Sequence, residues 1–138
     1  MNQQSKPISK TDEDAKKLII ESLDGNVTGG FDIDSIYLIA NRYVVLEFLK
    51  CDSVRPYNSH PNRYWFKNSQ KFISLWQITK KLEGSLFLIN YEDSREQFKV
   101  IEVIKLTRDG IIKENTWKLT FDEFKNWFQK LNRDALNS

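Results

Sequence analysis

The chain is 138 residues long and 40% hydrophobic, with 21 Lys and Arg against 19 Asp and Glu and a net charge of +2. That length suits one well-buried core, and no internal repeat or low-complexity linker divides it, so a flexible segment over residues 1–10 is expected ahead of a single domain over 11–138. Residues 1–10 lack the apolar stretch of a signal peptide, no apolar run approaches the roughly 18 residues of a membrane span, and the single cysteine excludes a disulfide framework or a cysteine-rich zinc site; a cytoplasmic location away from membranes is the expectation.

Thr11 is placed to cap a first helix with Asp12, Glu13 and Asp14 in its opening turn; Ala15, Leu18, Ile19, Ser22 and Leu23 line one face before Asp24-Gly25 stops it. Gly29-Gly30 leads into a β-hairpin that starts near Phe31, turns at Ala40-Asn41-Arg42 and ends near Leu49. After a loop rich in Pro, Asn and Ser, Asn68 or Ser69 can cap a second helix in which Phe72, Leu75, Trp76, Thr79 and Leu82 recur at helical spacing until Gly84. Leu86 to Ile89 and Phe98 to Leu106 are rich in β-branched and aromatic residues and predict strands separated by the polar turn Glu92 to Glu96. Arg108-Asp109-Gly110 signals a turn, Ile111 to Leu119 a further strand, and Thr120 to Glu123 a capping box for a last helix. In that helix Phe124, Trp127, Phe128 and Leu131 form a stripe suited to docking on the core, with a homodimer patch as the rival use. The predicted class is α/β: an α-β-β-α-β-β core, a mixed sheet flanked by helices, followed by a C-terminal strand and helix as an appendage.

Charge within the hairpin is the feature that points to chemistry. Asp32 and Asp34 enter it, and Glu47 and Lys50 leave it, among residues that otherwise predict buried strands. A turn near residue 41 sets Asp34 roughly opposite Glu47 across an antiparallel ladder. Two carboxylates so placed repel unless a cation lies between them, so they either bind a metal or raise one another's pKa. A bland alternative has Asp32 and Asp34 ending a strand at a solvated turn, with Glu47 paired to Arg42 or Lys50.

The arrangement resembles the PD-(D/E)xK nuclease superfamily: Asp34 opens one strand, and Glu47 and Lys50 lie on the next. The resemblance implies a restriction-endonuclease-like fold that cleaves nucleic-acid phosphodiesters, DNA foremost, with Mg²⁺ or Mn²⁺. Asp34 and Glu47 would hold the metal, with Asp32 in reserve, and Lys50 would position the attacking water. Phe48 and Leu49 separate Glu47 from Lys50 where the usual motif has one residue, so Lys50 reaches the site only if a β-bulge at Phe48-Leu49 turns it back.

From Arg42 to Lys81 eight basic residues stand against Glu47 and Asp52, so positive charge surrounds the candidate acids. A polyanion is the partner this polarity suits, with Arg55, Arg63 and Lys71 as the phosphate grip and Tyr64 as a stacking face beside them. The loop from Arg55 to Trp65 is stiffened by Pro56 and Pro61; its aromatic residues either grip substrate or pack beneath the second helix. His60, the single histidine, is not required by this metal chemistry, and Cys51 suits a small core position better than a nucleophile's. Two other classes of function share the pattern: a catalytically inactive module that binds nucleic acid or protein within a larger assembly, and a small toxin or immunity-type interaction protein using its last helix.

Overall fold

A two-residue turn sets the register on which the site depends. Strands β1 (Ser35–Ile39) and β2 (Arg42–Lys50) pair antiparallel from Ser35 opposite Leu46 to Ile39 opposite Arg42. Ala40 and Asn41 close the turn with φ of 48° and 67°, the left-handed pair that matches the twist of a tight hairpin. The computed structural model describes residues 10–137. The expected flexible segment lies outside the described residues except for Lys10, and the capping side chain of Thr11 lies outside them too.

Beyond β2 the chain makes short 3-10 turns at Pro56–Asn58 and Pro61–Tyr64, runs through helix α2 (Trp65–Lys81), and returns as β3 (Ser85–Tyr91), parallel to β2. Parallel neighbours require such a crossover, and α2 covers one face of the sheet in making it. β4 (Phe98–Thr107) and β5 (Gly110–Leu119) complete an antiparallel meander, so the sheet order is β1-β2-β3-β4-β5. Helix α3 (Phe121–Leu136) closes the opposite face. The strand and helix expected as an appendage are thus an edge strand of the same sheet and the lid of its second core.

Alternation along β2 divides its residues between the two cores. Val45 and Leu49 join Trp65, Phe72, Leu75, Leu86, Leu88 and Ile101 beneath α2. Leu46, with Val44 and Phe48, joins Ile89, Phe98, Val100 and the α3 residues Phe124, Trp127, Phe128 and Leu131. Phe98 stacks on Phe124 at 4.4 Å between ring centroids. The stripe on α3 therefore docks on the sheet, and the Thr120–Glu123 capping box forms as expected.

Three expectations require correction. The hairpin is ordered as strand only from Ser35, so Phe31 to Asp34 lie ahead of it. Helix α2 begins at Trp65, before Asn68 and Ser69, because the 3-10 turn at Pro61–Tyr64 feeds straight into it and the buried Trp65 anchors its first turn by donating Nε1–H to the Arg108 carbonyl at 2.7 Å. Helix α1 (Lys10–Leu23) forms, but its apolar face finds no core: Leu18, Ile19 and Ile20 remain 62%, 54% and 69% exposed. Among the described residues, no helix is long and apolar enough to cross a membrane.

Candidate active site

The hairpin register carries one step further than its last ladder pair. Ser35 lies opposite Leu46, so Asp34 is delivered beside Glu47, on the α2 face of the sheet. Asp34 has left the ladder, and its Oδ2 accepts the backbone N–H of Phe48 at 2.8 Å. A main-chain donor thereby orients one carboxylate toward the next.

Glu47 is 1% exposed. Its carboxyl is pushed up to about 8, first by burial and then by a side-chain hydrogen bond with Asp34, while Lys71 pulls the other way. Burial and a close second carboxyl both favour the neutral form of Glu47. The Lys71 ammonium reaches in from α2 to 3.1 Å from Glu47 Oε2. Buried Phe72 and Leu75 fix the helix on the sheet and leave Lys71 on its flank, partly exposed. Oε2 is buried and lies beside the ammonium without an aligned hydrogen bond, so the ion pair is its main compensation.

The expected role of Lys50 is not supported by its position. The β2–β3 register runs unbroken from Val44 opposite Ser85 to Lys50 opposite Tyr91, so no bulge turns Lys50 onto the face of Glu47. Its ammonium lies 3.2 Å from Asp93 and 3.9 Å from Asp52. Lys71 supplies the amine instead. Asp32 is exposed ahead of β1. Among the described residues no three His, Cys, Asp or Glu side chains gather as a metal cage; Asp34 and Glu47 form a pair, which is the usual protein share of a Mg²⁺ site completed by water and phosphate oxygens.

Arg55 is likewise placed elsewhere than expected. Its guanidinium grips Glu92 with both fork nitrogens, at 3.1 and 2.7 Å, and reaches Glu96 at 3.1 Å. This clamp holds the Glu92 carboxyl down at about 2 and fastens the loop to the β3–β4 turn. Tyr57 donates its hydroxyl to the Leu119 carbonyl, and Trp65 stacks on Phe72 with centroids 5.3 Å apart, so the aromatic loop packs inward at these residues. His60 is engaged at both nitrogens: Nδ1 accepts the Asn62 N–H at 3.0 Å, which places the proton on Nε2, 2.5 Å from Glu114. Both ring nitrogens are thus engaged within the fold.

Glu47 borders one of two adjoining hollows. One of about 230 Å³ is bordered by Glu47, Lys71 and Phe72. The other, of about 540 Å³, is bordered by Cys51, Asp52, Ser59, Arg63 and Lys67. Lys50, Tyr64 and Asn68 border both. Of the residues expected to bind nucleic acid, Lys71 contacts Glu47, Tyr64 borders both hollows, Arg63 borders the larger one, and Arg55 borders neither. The contact of Lys71 with Glu47 leaves no mark in local spacing, because only the crossover through α2 brings them together. No protein-family model, curated protein or solved structure matches this chain significantly.

Proposed function

We propose that the protein is a metal-dependent hydrolase of nucleic-acid phosphodiesters, with Asp34 and Glu47 as the metal ligands and Lys71 as the lysine of the site. The observation that carries this reading is the convergence of a buried carboxyl, an oriented carboxylate and an ammonium beside hollows bordered by cations. A bound Mg²⁺ or Mn²⁺ would supply a polarised water and offset charge on the phosphate oxygens. Asp34 is already oriented as a ligand, held by the Phe48 N–H. Glu47 must surrender its proton before it can ligate, so loading is favoured as pH rises toward about 8. Lys71, released from Glu47, is left beside the place where a phosphate or attacking water would lie, and stabilises negative charge there. A mixed sheet covered by helices on both faces, with one acid just ahead of β1 and the other on the adjacent β2, is in keeping with a restriction-endonuclease-like architecture.

A non-catalytic binding module is the second reading, favoured by the fact that Lys71 and its own proton already compensate Glu47 without any metal. Incubation of end-labelled DNA and RNA with the protein in Mg²⁺ and Mn²⁺ separates the two. Cleavage that vanishes with EDTA and in Asp34→Asn and Glu47→Gln, with the folded far-UV spectrum retained, is the expected result. Intact substrate under every condition would leave the binding module.

A further inference from the structure

We propose that the larger hollow accepts an unpaired nucleotide, so that the substrate of the site is a single strand, or an unpaired stretch, in preference to a duplex. The proposal builds on the hydrolase reading but stands on separate features. Its first support is depth. Glu47 is 1% exposed while Asp34 is exposed, so a backbone that bends inward reaches both acids more readily than a stiff duplex does. Its second is size: about 540 Å³ falls within the roughly 300–1,000 Å³ of pockets that enclose a small ligand. That is room for one nucleotide, whereas a duplex offers a continuous, paired surface.

The third support is the chemistry at the rim. Arg63 and Lys67 both border the hollow and are exposed, and among the described residues no side-chain hydrogen bond or ion pair occupies either one. They are one helical turn apart at the entry to α2, whose first turn carries no acidic residue. Between them in sequence stands Phe66, 89% exposed although its neighbour Trp65 is 2% exposed. Phe66 does not border the hollow; flanked in the chain by two uncommitted cations, its exposed ring can stack a neighbouring base while the cations follow the phosphates, a pairing that single-strand binders use. Asp52 also borders the hollow but is drawn toward Lys50 at 3.9 Å.

Fluorescence anisotropy with a labelled mixed-sequence DNA strand, the corresponding RNA strand and the DNA duplex, all in EDTA to prevent turnover, tests the proposal. The expected result is at least ten-fold tighter binding of one or both single strands than of the duplex, with the DNA and RNA arms identifying the preferred sugar. Phe66→Ala should weaken single-strand binding by roughly ten-fold, and Arg63→Ala with Lys67→Ala should lower the slope of log affinity against log salt by about 1.4. Equal or tighter duplex binding, no binding at all, or affinities indifferent to these surface substitutions would overturn it. If strands bind as expected but are never cut in Mn²⁺, the hydrolase reading fails and the single-strand site stands; if duplex is bound better and cut, the reverse holds.

Discussion

Replacing Glu47 with Gln removes an ionisable group from the centre of the α2 core while keeping its shape, and the effect on stability has a definite pH signature. In the folded protein the carboxyl is pushed up to about 8, against 4.5 for the unperturbed group. Between those values the folded state holds a proton that the unfolded chain releases. The stabilisation is therefore complete below pH 4.5 and is lost as pH climbs through about 8. The slope cannot exceed about 1.4 kcal/mol per pH unit, and the whole span corresponds to about 5 kcal/mol. Relaxation around the ionised group reduces this, so a loss of about 2–4 kcal/mol is expected. Urea denaturation in EDTA from about pH 5 to about pH 9 provides the assay. Wild-type stability should fall across that range relative to Glu47→Gln, which makes the variant the more stable protein at the alkaline end. Parallel curves for the two proteins would refute the assignment of a buried, protonated Glu47.

Lys71→Met should raise the pH at which metal-dependent activity appears, because Lys71 holds the Glu47 carboxyl down; an unshifted pH profile would remove Lys71 from the site. Arg55→Ala should free Glu92 from its value of about 2. Because a lowered carboxyl gives stability that disappears as pH falls from 4.5 toward about 2, acid unfolding of the variant should begin at higher pH, with oligonucleotide affinity retained. Gly84→Ala should destabilise by about 1–3 kcal/mol, since its Cβ would lie 2.4 Å from the Tyr43 carbonyl oxygen; thermal denaturation reads the change. Ala40→Gly should stabilise by about 0.5–1 kcal/mol, because relief at φ 48° outweighs the entropy glycine adds to the unfolded chain.

The sequence showed most clearly what short-range physics controls. Ala40-Asn41 and the alternation of β2 were enough to set Asp34 beside Glu47, and Thr120 to Glu123 announced the capping box of α3. Contacts between distant segments were opaque. Lys71 meets Glu47, and Arg55 meets Glu92, only because the β2–α2–β3 crossover and the β3–β4 turn fold back over the sheet end. A basic residue near an acidic strand has the same local signature whether it binds phosphate or completes an internal ion pair. Helix α1 shows the converse: its apolar face was evident, yet pattern alone did not reveal that Leu18, Ile19 and Ile20 remain exposed.

A crystal structure of the protein grown with Mn²⁺ above pH 8 tests the central claim most directly, because at that pH the Glu47 proton no longer competes with the ion. An anomalous peak at about 2.0–2.3 Å from oxygens of both Asp34 and Glu47, with Lys71 withdrawn from Oε2, is the predicted result. Density empty of metal between the two carboxyls, with Lys71 still on Glu47 at saturating Mn²⁺, would contradict the account.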